Sequence, residues 1–203
     1  MALVVKKKRP KNQRAFPNQK ANYKCYTSLY AGRIEGCNLS VSIFGKTSSM
    51  TRVLFVCLGN ICRSPLAEAI FNSQIREGKF QTKFIAASCA TANYHVGSPP
   101  DPRTIRNALL NGIEIKHVGR QFSVVDFEAF DWIIAMDRSN YNNILQLPNS
   151  KNYRNKIKLM RVFDTEYPGV DVPDPYYGGE KDFQEVFDIL TRSVSGLIKV
   201  LEE

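Results

Sequence analysis

The residues with the clearest chemistry lie in one short stretch, VCLGNICRSPL, at positions 56–66. Cys57 supplies a thiol directly after an apolar run, and Arg63 follows six positions later. A cysteine thiolate is a nucleophile, and a guanidinium binds two oxygens of a tetrahedral anion through its planar N–H donors. This pair predicts attack by the Cys57 sulfur on a phosphate group that Arg63 holds.

The residues between Cys57 and Arg63 predict an anion-binding loop at the start of a helix. Ser64 is the N-cap candidate of that helix, and its hydroxyl is expected to hydrogen-bond the sulfur. The loop amides and the positive helix end favour a bound dianion, and such positions lower a thiol pKa to roughly 3.5–7.5. Gly59 lets the backbone approach the anion, and Asn60 tolerates a left-handed turn.

The spacing of Cys57 and Arg63 alone is a weak signal, because such a pair also arises by chance. Its position between an apolar strand and a Ser-Pro helix start is what the mechanism requires. The alternative is that Cys57 is a small buried apolar residue and that Arg63 is a solvated helix start.

A second group of candidate residues lies in the stretch VPDPYYGG. Transfer of a phosphoryl group to sulfur needs a proton for the departing oxygen, and a carboxylic acid contributes about 10²- to 10⁴-fold. Asp174, held between two prolines on an acidic loop, is the candidate. Tyr176 and Tyr177 beside it suit an aromatic leaving group. Asp-Pro is also a common turn former, so a structural role for Asp174 stays open at this level.

Alternating strands and helices after position 50 must position these side chains. The predicted strands are 53–57, 84–88, 132–136 and 156–163. The predicted helices are 64–77, one that opens at 99–102 and ends at 110, 139–145, and one from about 181 to the end. This order predicts a three-layer α/β fold: a four-stranded parallel sheet with helices on both faces and a phosphate-binding loop after the first strand. Ligands are then expected at the carboxyl ends of the strands.

The net charge of +9 belongs to one end of the chain. Residues 1–50 hold ten Lys and Arg and one acidic residue, whereas residues 51–203 hold eighteen of each sign. We expect a basic, disordered N-terminal extension at 1–50 and a catalytic domain at 51–203. The stretch KKKRPK leaves three roles open: a nuclear-import signal, a contact with RNA or an acidic membrane, or a solvated run. A nucleic-acid binder is disfavoured, because charge confined to an extension gives weak, salt-sensitive attraction.

Cysteine usage and hydropathy indicate the compartment. Five cysteines without regular spacing indicate free thiols in a reducing compartment, so the cytoplasm is the expected location, with nuclear entry through the basic extension left open. The longest apolar runs are shorter than the ~20 residues that a membrane span needs, and no secretory signal is expected. His95 and His117 belong to no cluster of recognisable ligand spacing, so neither a metal nor another cofactor is expected.

The two motifs together, VCLGNICRSP and then DPYYG, resemble the low-molecular-weight protein tyrosine phosphatase family from about position 51 to 203. The resemblance implies that Cys57 forms a phosphocysteine intermediate, Arg63 binds phosphate, and Asp174 donates a proton and then activates water. It implies phosphotyrosine proteins and small aryl phosphates as substrates. The substrate-binding positions that it implies are Leu58, Gly59, Asn60, Ile61, Cys62, Ser64, Tyr94, Tyr176 and Tyr177. The supporting network that it implies is Asn60, Ser64, Ser88 and His117.

The resemblance also implies a redox role for Cys62, which would trap Cys57 as a reversible disulfide; a small loop residue is the alternative.

Other functions of the protein remain open. An arsenate reductase shares the fold but relays the disulfide through further cysteines, and here only Cys89 follows Cys62. An arginine-phosphate specialist tends to have Thr where this chain has Ile61. A noncatalytic phosphate-binding module is the third alternative, and intact Cys57, Arg63 and Asp174 disfavour it.

Overall fold

A computed structural model describes residues 50–203, and the predicted basic extension up to residue 49 lies outside the described residues. The strands are β1 (Thr51–Cys57), β2 (Phe84–Ala90), β3 (Trp132–Ala135) and β4 (Ile157–Leu159). The helices are α1 (Arg63–Glu77), α2 (Pro102–Leu110), α3 (Asp126–Ala129), α4 (Arg138–Leu145) and α5 (Glu180–Glu202). None of the helices in the described part combines the length and the apolar character of a membrane span.

The four strands form one parallel sheet, as predicted, and the structure gives their order as β2-β1-β3-β4. Strand β1 is central, and its apolar run is buried on both faces. Val53 and Phe55 pack in the core beneath α1 and α5, whereas Leu54 and Val56 pack in a second core with residues of α3 and α4. The predicted three layers are therefore confirmed: a continuous apolar strand forms because both of its faces are covered.

Helix α5 lies close to the chain that follows β4. At Gly196 a Cβ atom would overlap the carbonyl oxygen of Phe163, so a larger residue would force the helix away. The apolar side of α5 covers the core between α1 and the sheet. This packing fixes the start of the acidic loop that runs from β4 to α5.

The fourth strand is shorter than predicted. Only Ile157–Leu159 pairs with the sheet, and Met160–Phe163 forms a 3-10 helix instead. The strand lies at the sheet edge and pairs only with β3, which has four residues. The chain then turns so that the buried Arg161 side chain donates to the Asp164 carboxylate at 3.0 Å. The length of this edge strand is therefore set by the number of β3 residues available to pair with it, and not by the length of its own apolar run.

Smaller differences concern helix ends and short elements. Helix α1 begins at Arg63, so the prediction of Ser64 as its N-cap is wrong; Cys62 holds that position without a side-chain cap bond. Helix α2 begins at Pro102, capped by Asp101, which accepts from the amide of Arg103. Helix α3 and the 3-10 helix Ser150–Lys156 were not predicted, because such short segments show no clear periodicity.

Candidate active site

Cys57 ends β1, and the chain turns immediately around its sulfur. The amide N–H of Asn60 donates to Cys57 Sγ at 3.2 Å, and Ser64 Oγ lies 3.0 Å from the same sulfur. Asn60 adopts the left-handed conformation, with φ of 57°, as the tight turn required. We call residues 58–63 the phosphate loop; it curls over the sulfur and ends in the first turn of α1.

The buried side chain of Asn60 holds this loop to three other segments. Its Nδ2 donates to Ser64 Oγ at 2.8 Å and to Ser88 Oγ on β2 at 2.9 Å. Its Oδ1 accepts from the Arg120 amide at 3.1 Å and lies 2.8 Å from His117 Nε2. Both ends of the Asn60 amide are therefore paired, which ties the turn to α1, to β2 and to the segment 117–120.

Ser64 directs a hydroxyl toward the sulfur. Because its oxygen already accepts from Asn60, its proton is free to go to Cys57 Sγ at 3.0 Å or to the Cys89 carbonyl at 3.3 Å. A thiolate is the stronger acceptor of the two. The Ser64 hydroxyl and the Asn60 amide therefore both stabilise the negative charge that a nucleophilic sulfur carries.

Glu68 supports the network from α1, and sequence reasoning missed it. Its Oε2 accepts from Ser88 Oγ at 2.7 Å and lies 3.3 Å from His117 Nδ1. His117, which had no claim of its own from the residues, is thus held between Glu68 and Asn60. The available signal was weak: Glu68 follows Ser64 by four positions and so shares its helix face.

Arg63 lies buried at the mouth of the phosphate loop between two carboxylates. Its Nη1 donates to Asp137 at 2.6 Å and to the Val172 carbonyl at 3.1 Å, and its Nη2 donates to Asp174 at 2.8 Å. Burial works against the charged guanidinium, but Cys57, Asp174 and Asp137 outweigh it and raise the Arg63 pKa. The guanidinium is therefore charged and oriented by three fixed acceptors.

Asp137 was missed by sequence reasoning, although the chain gives a signal for it. It follows β3 at the carboxyl edge of the sheet, and its Oδ1 accepts from the Asn140 amide at 2.6 Å, which caps α4. Its Oδ2 is the atom that pairs with Arg63. An N-cap carboxylate at the carboxyl end of a central strand is well placed to orient a site residue.

Asp174 and the tyrosines close the other side of the site. The Asp174 side chain is 42% exposed, and its Oδ1 accepts from the Tyr176 amide at 3.2 Å. Tyr176 and Tyr177 meet edge to face, with ring centroids 5.0 Å apart. Tyr94 projects from the loop after β2 and is largely exposed. The structure thus places the rings of Tyr176 and Tyr177 close to the Asp174 carboxylate.

One cavity of about 280 Å³ joins these groups. It is lined by Cys57, Leu58, Gly59, Ile61, Cys62, Arg63, Tyr94, His95, Asp174, Tyr176 and Tyr177. Asn60, Ser64, Ser88 and His117 form the hydrogen-bonded network around the sulfur instead. His95 was not predicted: a Cβ on Gly59 would come within 3.1 Å of its ring, so the glycine makes room for it.

Cys62 also lines the cavity, next to Arg63 in the chain. Burial raises the pKa of its thiol to about 12, so Cys62 is a neutral thiol near pH 7. Cys57, Cys62 and Cys89, the cysteines of the described part, form no disulfide. In residues 50–203 no three His, Cys, Asp or Glu side chains are grouped as a metal site would need.

The central strand of a parallel sheet ends in a cysteine whose sulfur meets the Asn60 amide and the Ser64 hydroxyl, and a buried arginine follows six residues later. This is the arrangement of a cysteine-dependent phosphatase. The sequence profile of the family described as "Low molecular weight phosphotyrosine protein phosphatase" matches residues 52–203. The chain belongs to this family, whose members are cysteine-dependent hydrolases.

Individual relatives agree over the same part of the chain. The low molecular weight phosphotyrosine protein phosphatase of Schizosaccharomyces pombe is 45% identical over 139 residues, which cover 67% of this chain and 87% of the relative. A protein tyrosine phosphatase structure from Entamoeba histolytica is 42% identical with a TM-score of 0.72, over 75% of this chain and 97% of its own. YwlE of Bacillus subtilis, an arginine phosphatase, is 25% identical with a TM-score of 0.68, over 75% of this chain and 97% of its own.

Proposed function

We propose that this protein hydrolyses tyrosine phosphate on proteins, and small aryl phosphates, through a phosphocysteine on Cys57. The observation that carries the proposal is the single cavity in which Cys57, Arg63 and Asp174 face Tyr176 and Tyr177. A nucleophile, an anion-binding guanidinium, an acid and an aromatic wall are the four parts that the reaction needs.

In the first step the Cys57 sulfur attacks phosphorus, and the bond from phosphorus to the phenolic oxygen breaks. Arg63 and the amides of the phosphate loop hold the nonbridging oxygens, and the Asp174 carboxyl proton goes to the departing phenol. The arriving dianion competes with Asp174 for Nη2 of Arg63, the donor that lies 2.8 Å from the carboxylate.

In the second step water attacks the phosphorus of the phosphocysteine. Asp174, now a carboxylate, takes a proton from that water, and the bond between sulfur and phosphorus breaks. Cys57 departs as a thiolate, which Ser64 and the Asn60 amide stabilise from 3.0 and 3.2 Å. The products are inorganic phosphate and the starting enzyme, so the cycle requires no redox partner.

The aromatic wall supports tyrosine phosphate over arginine phosphate. Tyr94, Tyr176 and Tyr177 offer rings to an aryl group, and Ile61 replaces the Thr expected in an arginine-phosphate specialist. Cys89 argues against an arsenate reductase, because it is fully buried and burial raises its pKa. A thiol in that position is a poor relay for a disulfide.

The test is turnover of p-nitrophenyl phosphate and of phosphotyrosine and phosphoarginine peptides in the presence of EDTA. We expect turnover of the aryl and tyrosine substrates, and loss by about 10⁴-fold or more in Cys57→Ser, because the hydroxyl lacks an activating base. Undiminished turnover in Cys57→Ser would exclude the mechanism. Preference for phosphoarginine would exclude the substrate class.

We further propose that Cys62 protects Cys57 from irreversible oxidation. A peroxide converts the Cys57 thiolate to a sulfenic acid; the Cys62 thiolate then attacks that sulfur, and water leaves as the disulfide forms. With a Cys62 pKa of about 12, roughly 10⁻⁵ of this thiol is ionised at pH 7. Disulfide formation should therefore accelerate about tenfold per pH unit between pH 7 and 9.

Peroxide inactivation followed by dithiothreitol tests this role. Wild type should recover, and Cys62→Ser should not, with mass spectrometry of trapped intermediates giving the rate at each pH. Equal recovery of both proteins would contradict the proposal.

The organisation and location of the chain are also proposals. The described elements begin at Thr51 and the family profile at 52, which supports a catalytic domain at 51–203. Deletion of residues 1–49 should leave kcat/KM for p-nitrophenyl phosphate unchanged.

We propose that the protein is located in the cytoplasm. Imaging of a variant with Lys6, Lys7 and Lys8 changed to Ala tests the role of the basic stretch: it distinguishes a nuclear-import signal from a contact with RNA or a membrane, and both of these from a solvated run.

A further inference from the structure

We propose that Arg103 is a positioning residue that, together with Asp101, fixes the distance between the phosphate loop and the loop that carries Asp174. The inference rests on the proposed function, since it assigns a role within that reaction. Arg103 touches neither Cys57 nor Arg63 in the structure; it acts through the backbone carbonyls on either side of Tyr177, those of Tyr176 and Gly178.

The first half of the connection joins α2 to the phosphate loop. The Asp101 amide donates to the Ile61 carbonyl at 2.9 Å, directly beside Cys62. The Asp101 carboxylate caps α2 through the Arg103 amide at 2.8 Å. The start of α2 is thus anchored to the loop that surrounds the nucleophile.

The second half is the Arg103 guanidinium, which reaches from Asp101 to the loop after Pro175. Its Nε and Nη2 donate to the two Asp101 carboxylate oxygens at 3.1 and 2.8 Å. The same group donates to the carbonyls of Tyr176 at 2.9 Å and Gly178 at 3.4 Å. It also lies over the Phe183 ring, 4.8 Å from the centroid. A planar fork with five donors can make these contacts together, and a lysine cannot.

The connection ends at the side chain of Asp174, the proposed proton donor. The Tyr176 carbonyl accepts from Arg103, and the Tyr176 amide donates to Asp174 Oδ1 at 3.2 Å. The other side-chain bond of Asp174 is the one to Arg63 Nη2, and bound phosphate takes that donor for itself. During the reaction the backbone of Tyr176, held by Arg103, therefore becomes the main restraint on the acid.

Asp101 keeps its charge under the conditions in which the acid works. Hydrogen bonds from the Arg103 side chain hold the Asp101 pKa below its usual value, against the opposing effect of burial. A lowered carboxyl pKa means that the ion pair is intact above the usual carboxyl range and is lost only as pH falls through the lowered value. The connection therefore persists in mildly acidic solution.

The experiment compares substrates whose leaving groups differ in their need for a proton. Arg103→Met should lower kcat/KM for phenyl phosphate about 10- to 30-fold, a part of what a general acid supplies, and for 2,4-dinitrophenyl phosphate by less than about threefold. Arg106→Met, one turn along α2 and largely exposed, is the matched control and should change neither value. Arg103→Lys should give an intermediate loss, and it carries the test if the methionine variant unfolds.

A double-variant cycle asks whether the effect passes through Asp174. In the Asp174→Asn background, Arg103→Met should lower phenyl phosphate turnover by less than about twofold, because the group that it positions is gone. Equal losses for both leaving groups, or full additivity with Asp174→Asn, would overturn the proposal. A wild-type protein without phosphatase activity would instead overturn the proposed function.

Discussion

The two loops of the active site are built in opposite ways. Residues 60–63 of the phosphate loop are buried, and one side chain, Asn60, holds the loop through four hydrogen bonds to four partners. The loop of Asp174 lies at the surface, where Tyr177 is 96% exposed and the acid itself is 42% exposed. The acid is held by two hydrogen bonds, one to a backbone amide and one to Arg63.

This difference separates the constant part of the chemistry from the variable part. Every phosphate monoester presents the same dianionic group, so the site that binds it can be rigid and preorganised. Leaving groups differ in size, and exposed side chains such as that of Tyr177 can adapt to them. Substitutions in the phosphate loop should therefore affect both stability and kinetics, whereas those in the acid loop should affect kcat or KM and leave stability nearly unchanged.

The largest effect within this comparison is expected from Asp174→Ala. Loss of the proton donor should lower kcat for phenyl phosphate by about 10²-fold or more, while the thermal unfolding midpoint changes little. Inorganic phosphate should inhibit the variant at least as well as wild type, because Arg63 Nη2 no longer serves a carboxylate. Weaker phosphate inhibition would show that Asp174 also shapes the anion site.

A smaller effect on rate, but a larger one on stability, is expected from Asn60→Ala. It leaves several buried polar groups unpaired, so the free energy of unfolding should fall by about 3 kcal/mol and kcat by about 10-fold.

Asn60→Gly serves as its partner variant, since glycine accepts the φ of 57° that alanine resists. It should lose the same network yet be more stable than the alanine variant by about 1 kcal/mol. Urea unfolding measures both values. Two equal values would mean that the left-handed backbone costs nothing there.

The smallest effect is expected from Tyr177→Ala in the exposed wall. Surface substitutions change stability by less than about 0.5 kcal/mol, and KM for aryl phosphates should rise by no more than about fivefold. Steady-state kinetics with p-nitrophenyl phosphate give the value. A collapse of kcat instead of a rise in KM would place Tyr177 in the chemistry rather than in binding.

The sequence predicted what depends on neighbours along the chain. Cys57, Asn60 and Arg63 lie within seven consecutive residues, and Asp174 lies between two prolines, so local rules were enough to make them candidates. Asp137, the N-cap of α4, and Glu68, on α1, were missed because such carboxylates become site residues only when the fold brings a partner to them. The prediction of the fourth strand was too long for a related reason, because the length of that strand depends on pairing with β3 and not on its own apolar run.

Asp137 ties two requirements together that a protein engineer would treat separately. One of its carboxylate oxygens caps the N-terminus of α4, and the other orients the guanidinium of Arg63. Serine is an equally good helix cap, so a scheme that scores helices alone would accept it at this position. Replacement of Asp137 by serine would preserve the fold but remove the carboxylate that orients the Arg63 guanidinium. Screens for thermostable variants of this protein should therefore include an assay of phosphate binding.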